Sequence, residues 1–304
     1  MSKNKILSRF IAIRNAVFSE VSIGIPANAI LLLFHILSFL LKHRTKPTDL
    51  TMGNLALIHL VMLIISGFIA TDVFGSQEQW DDITCKAVIY SYRVLRGLSL
   101  GNTSLLSVLQ AITLSPRSSW LAKFKQTSSH HSLCVFVLLW VFNLSMSARL
   151  LISVAATTNH TSGSLLFATK SCSVWPQRYL PKHTFSMLWI FRDVSLTGLM
   201  ALSSAYMVIL LCRHKRQSQH LHGTSLSPRA SPELRATRTI LLLTSVFVFF
   251  YLTDCIVYSL SGMWWNSDLM RLCAQILLGN GYATVGPLVL ISSEKRMITF
   301  FKSM

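Results

Sequence analysis

At 304 residues the chain is 52% hydrophobic and only 13% charged, with a mean hydropathy of +0.51, so it carries more apolar surface than one soluble core buries. An ordinary globular cytosolic protein is excluded. The net charge of +17 comes from Lys and Arg placed between hydrophobic runs, which is membrane-flanking charge and not the footprint of a nucleic-acid protein.

A helix needs about 20 residues to cross ~30 Å of hydrocarbon, and the chain offers seven such windows. In order they are about Val17 to Leu41, Leu50 to Val73, Cys85 to Leu114, Leu133 to Val154, Phe185 to Cys212, Thr239 to Met263 and Arg271 to Ile291. The basic start MSKNKILSRFIAIRN leads into a run too long for a signal-peptide core, so the first window reads as an uncleaved anchor. The third window is the most polar, and the fifth carries Arg192 beside Asp193. Pro26, Gly279, Gly281, Gly286 and Pro287 fall inside windows, where lipid-embedded helices tolerate them as kinks or close-packing points. The expected fold is a single all-α membrane domain over residues 1–304, a bundle of seven transmembrane helices.

Other classes lack their signatures. No repeat relates the two halves, against a transporter of inverted-repeat design. No GxSxG elbow, aspartate pair or HExxH motif supports an intramembrane enzyme. Six cysteines without a CxxC or a Cys/His cluster build neither a zinc site nor a disulfide scaffold, and no cofactor is expected.

Loop charge sets the expected orientation. The loops Lys42 to Thr48, Ser115 to Ser132 and Arg213 to Arg238, with the tail from Ser292, hold most of the Lys and Arg outside the spans. The segment from Phe74 to Thr84 holds none. The positive-inside rule then places the N-terminus outside and the C-terminus in the cytoplasm of a multi-pass plasma-membrane protein. Lys3, Lys5, Arg9 and Arg14 vote the other way for the first span alone.

Two features side with the majority. Asn159-His160-Thr161 is a glycosylation sequon in a loop assigned outside, whereas the Asn102 and Asn143 sequons fall within spans and read as chance matches. Cys85, at the outer start of the third span, and Cys172, in the long outer loop, share the oxidising compartment. A bridge between them would pin that loop over the helix mouth; the alternative is two unpaired thiols. Cys134, Cys212, Cys255 and Cys273 read as packing residues.

Several segments carry a family resemblance: HRTKPTDLTMGNLALIHL from His43, YRVLRGLSL from Tyr92, LLSVLQAITLSPRSSW from Leu105, FRDVSLTGLMALSSAYMV from Phe191 and GYATVGPLVLISSEKRMITFFKSM from Gly281. In these the chain resembles the vomeronasal type 1 receptors, pheromone-type G-protein-coupled receptors. The resemblance implies a chemosensory receptor that takes a small-molecule chemosignal, volatile or steroid-like and anionic ones included, and signals to a heterotrimeric G protein. A bitter-taste-like receptor and a small-solute transporter or channel stand as alternatives. Most rhodopsin-like receptors carry an acid in the second span, an Asp-Arg-Tyr-type triplet ending the third and Asn-Pro-x-x-Tyr in the seventh. Here His59, ITLSPRS and TVGPLVL stand in those regions, so neither a sodium site nor the usual ionic lock carries over. Gly286 also departs from the ATVSP pattern more usual in the family.

Ionisable residues within a membrane cost roughly 2.5–3.5 kcal/mol each at a helix centre, so each needs a partner or a role. Arg93, Arg96, Arg192, Asp193 and Asp254 lie at one level in the outer half, by the ~1.5 Å rise per residue. Arg93 and Arg96, three apart, share a helix face and suit a sulfate or carboxylate; equally, they could pair with Asp193 or Asp254 and only tie helices together. Tyr92, Phe191 and Tyr258 lie near that level as pocket walls or as packing. Trp80, Trp175, Trp264 and Trp265 read as interfacial anchors. At the other end, Arg117, Arg213, Lys215, Arg216, Arg235 and Arg238 would face the G protein that the resemblance implies, although positive-inside topology alone accounts for them.

Overall fold

A computed structural model describes residues 2–41, 47–75, 79–116, 119, 129–156, 169, 171–174, 179–221, 232–264 and 268–293. Apolar length becomes helix throughout: α1 (Ser2–Leu41), α2 (Pro47–Phe74), α3 (Asp82–Leu114), α4 (Ser129–Ser147), a short α5 (Leu150–Ser153), α6 (Tyr179–Leu221), α7 (Pro232–Trp264) and α8 (Asp268–Ser293). Seven stretches among these are long and apolar enough to cross a membrane, the fourth running from Cys134 through α5 to Ser153. Each expected span is matched by a helix, and several helices continue past the apolar window. α1 begins at Ser2 rather than near Val17, and α6 extends to Leu221. Outside hydrocarbon, nothing in the polar sequence Arg213–Gln219 breaks a helix.

The fourth span ends differently from expectation. After Ser147 the helix is interrupted, resumes for one turn over Leu150–Ser153, and passes directly into β1 (Val154–Ala156). β1 pairs antiparallel with β2 (Cys172–Val174), Val154 opposite Val174 and Ala156 opposite Cys172. This hairpin is absent from the sequence reading because three-residue strands leave too short an alternation to detect. The Cys85–Cys172 disulfide is formed and fastens β2 to the first turn of α3. Asp81 caps α3 by accepting from the Thr84 amide at 3.1 Å. Bonding from Thr84 holds the Asp81 carboxyl below the usual carboxylate range.

The most polar span is also the central one. α3 packs against α2, α4, α6 and α7, and its Leu95, Leu98, Leu100 and Leu106 are buried. One core cluster, towards the disulfide end, joins Val17, Leu63, Val73, Tyr92, Leu98 and Ile276; a second, further along, joins Leu31, Leu106, Met200, Leu243, Tyr282 and Leu290. Large apolar side chains such as Leu33, Phe39, Phe68, Leu202 and Phe249 point away from the bundle. A bundle that buries polar groups inside and shows aliphatic groups outside has hydrocarbon as its solvent. Of the cysteines read as packing residues, only Cys273 is buried; Cys134, Cys212 and Cys255 lie on the outer surface.

Candidate functional site: a charged belt across six helices

The ionisable residues of α3, α6 and α7 converge in the half of the bundle nearer the disulfide. Arg96 donates to Asp254 across α3 and α7. It passes close over α8, where the missing side chain of Gly279 leaves room: a Cβ there would stand 2.8 Å from an Arg96 Nη and 3.2 Å from the Tyr92 hydroxyl. The other Asp254 oxygen, Oδ1, is buried and has no hydrogen-bond partner among the described residues.

Tyr92, one turn earlier on α3, donates to Asn280 Oδ1 at 3.2 Å, and Asn280 Nδ2 donates to the Ser66 hydroxyl of α2 at 2.7 Å. α2, α8, α3 and α7 are thereby tied by one run of polar contacts. A second run links α4, α6 and α7. Arg192 donates to Asn143 of α4 at 3.1 Å and pairs with its neighbour Asp193 at 2.6 Å. Tyr251 of α7 lies within side-chain hydrogen-bonding reach of that aspartate.

Arg93 stands between the two runs with a different partner. Its guanidinium lies over the Trp189 ring, 4.5 Å from the centroid, and among the described residues no carboxylate comes within ion-pair distance. The Trp189 ring is held by its own Nε1–H, which donates to the Met146 carbonyl of α4 at 3.3 Å. The Arg93 side chain is exposed beside that indole. Three cations and two carboxylates thus form the belt, and the excess positive charge sits on Arg93.

Not every expected residue joins it. Phe191 is 73% exposed and faces away from the bundle, not into a pocket. Adjacent helical residues differ by about 100° around the axis, so the residue beside an inward Arg192 turns outward. Arg149 lies in the break between α4 and α5. Tyr258, Lys215 and Arg235 lie in stretches of α7 and α6 whose backbone alone is described, and Asn159 and Arg117 lie outside the described residues. Arg213, Arg216 and Arg238 are exposed where α6 ends and α7 begins, at the end remote from the disulfide.

Other residues of the belt and its surroundings escaped the sequence reading. Asn280, Asn143 and Trp189 carry no charge and so gave no signal of cost. Glu20 and Asp72 are ionisable residues within spans and were open to the same rule that found Arg93. Glu20 Oε2 is buried with no hydrogen-bond partner among the described residues, and Asp72 accepts from Ser171.

Below the belt lies a second polar layer. His59 Nε2 and the Ser99 hydroxyl are 2.8 Å apart, and the His59 ring meets Tyr282 edge-on at 5.2 Å. Asn54 donates to Asn102 at 3.0 Å, so the Asn102 sequon is enclosed in the bundle. A small gap opens beside this layer, lined by His59, Tyr282, Gly286 and Pro287 among others, away from the charged belt. At the remote end the Ser115 hydroxyl, just after α3, is 3.0 Å from the Tyr206 hydroxyl of α6.

The sequence model of the vomeronasal organ pheromone receptor family matches residues 11–303. The chain belongs to this family. It is 55% identical over 287 residues to vomeronasal type-1 receptor 90 of Rattus norvegicus, covering 94% of this chain and 92% of that one. Identity to vomeronasal type-1 receptor 100 of the same species is 50% over 304 residues, covering 100% and 93%, and to vomeronasal type-1 receptor 45 of Mus musculus 50% over 302 residues, covering 99% and 95%. This vomeronasal receptor is therefore a multi-pass membrane protein whose seven helices form a receptor-type bundle.

Proposed function

We propose that the chain is a plasma-membrane chemosensory receptor, a single seven-helix domain with its N-terminus outside and its C-terminus in the cytoplasm. It takes a small organic chemosignal into the belt and signals to a heterotrimeric G protein at the remote end. The observation that carries the ligand reading is Arg93. Arg96 and Arg192 are each committed to a carboxylate, whereas among the described residues Arg93 is opposed only by an indole face, and its side chain is exposed. A guanidinium in that state offers unshared donors to an acidic or polar group on a volatile or steroid-like ligand. Arg213, Lys215, Arg216, Arg235 and Arg238, with Arg117, would form the basic surface for the G protein.

Expression with a panel of G proteins and a screen of volatile and steroid-conjugate ligands tests this directly. A second-messenger response is expected, and Arg93→Met should weaken the response to acidic agonists by about tenfold or more, the worth of one charged hydrogen bond. Silence across all G proteins with surface expression confirmed would overturn the receptor reading. Orientation is read separately. The chain should show a glycosidase-sensitive mobility shift that Asn159→Gln abolishes, and a chain with no shift would place that loop on the other side.

A further inference from the structure

We propose that Asp72 is a second tether for the hairpin at the bundle end, positioning it independently of the Cys85–Cys172 disulfide. Asp72 stands in the last turn of α2, 4% exposed, and both its carboxylate oxygens are taken by one loop residue. The Ser171 hydroxyl donates to Oδ1 at 2.5 Å and the Ser171 amide to Oδ2 at 3.3 Å. No cation lies within ion-pair distance of Asp72 among the described residues. A carboxylate buried at the end of an apolar helix is costly unless hydrogen bonds meet it, and among the described residues they come from the loop alone.

The next residue after Ser171 is the disulfide's Cys172, and the turn before it is closed on itself. Thr169 N donates to the Cys172 carbonyl at 3.0 Å while Cys172 N donates to Thr169 Oγ1 at 3.0 Å. A grip on Ser171 is therefore a grip on the whole turn and on β2. The disulfide holds the same strand from α3, and Asp82 Oδ1 holds β1 by accepting from Ala156 N at 3.1 Å. Helices α2 and α3 clamp the hairpin from two sides, one side by a covalent bond and the other by a carboxylate. Opening the bond leaves the Asp72 grip in place.

Hydrogen exchange on the full chain in lipid nanodiscs tests the tether at the Cys172 and Val174 amides. With the disulfide opened by a phosphine reductant, these amides are expected to keep most of their protection. Asp72→Leu under the same reduction should lose about tenfold or more, the scale of a hydrogen bond to a charged group. Asp72→Asn should restore much of the loss, because its carbonyl accepts the Ser171 amide while its own amide donates to the hydroxyl. Unchanged exchange in α2 and α3 marks the bundle as intact. Full loss of protection on reduction of the unsubstituted chain would overturn the proposal. Should Asp72→Leu fail to fold, Ser171→Gly with the disulfide intact decides it: reduction should be about tenfold faster than in the unsubstituted chain, and an unchanged rate contradicts the tether. The position of the hairpin over a ligand entrance rests on the proposed function. The exchange measurement needs no ligand, so its failure would leave the receptor reading standing.

Discussion

Replacing Asp254 by Ala is expected to destabilise the folded receptor by about 3–5 kcal/mol, because it strands the Arg96 guanidinium inside the bundle. The side chains of this pair are 25% and 10% exposed. Arg96 has little room to turn to solvent, hemmed by α8 at Gly279 and by the Tyr92 hydroxyl. Removing both charges together, as Arg96→Met with Asp254→Leu, should cost far less than Asp254→Ala alone, since buried pairs exchange almost evenly for apolar groups of similar volume. The Asp82–Lys86 pair supplies the comparison. Its side chains are 50% and 33% exposed, and breaking a pair so open to water costs far less than stranding a buried charge. Unfolding titrations in mixed micelles on the single and double variants would measure the difference. A double variant as unstable as Asp254→Ala would show that packing, and not the stranded charge, sets the cost.

What the sequence made legible was depth along each helix; what it hid was rotation about it. Apolar length located all seven spans, and the rise per residue put Arg93, Arg96, Arg192, Asp193 and Asp254 at one level. Which arginine meets which carboxylate depends on how neighbouring helices are turned and packed, and one chain's residue order does not contain that. Hence the sequence leaves both Asp193 and Asp254 open as partners for Arg96, and it leaves Phe191 open as pocket wall or packing where the helix turns it away from the bundle. The Cys85–Cys172 bridge was legible because both residues lie at one mouth of the bundle. Its hairpin was not, being two three-residue strands defined only by pairing across a long loop. Asn143 shows a different failure. Its sequon falls within a span, and the buried residue is a bridge from α4 to Arg192, which a polar group without charge does not announce.

The glycines turn this packing into a graded test. A Cβ on Gly97 would stand 2.0 Å from Asn143 Oδ1 and 2.8 Å from an Arg192 Nη, and one on Gly281 would stand 2.2 Å from the Phe250 ring. Asn143 is buried and bonded at both ends, to the Leu139 carbonyl and to Arg192, so it cannot give way without breaking the α3–α4–α6 seam. Gly97→Ala and Gly281→Ala are each expected to cost about 1–3 kcal/mol, the range for overpacking a filled interior. Gly198 has nothing within 4 Å, and a Cβ on Gly286 would meet Tyr282 at an ordinary 3.4 Å. There Ala should instead stabilise by about 0.5–1 kcal/mol, since Gly loses the most backbone freedom on entering a helix. Gly286→Ser should be tolerated equally, because its hydroxyl would enter the gap beside Tyr282 and His59. The sign of each change in thermal stability is the readout. If Gly97→Ala stabilised as Gly198→Ala does, α4 would stand too far from α3 for Asn143 to bridge to Arg192, and Arg192 would be left with Asp193 alone.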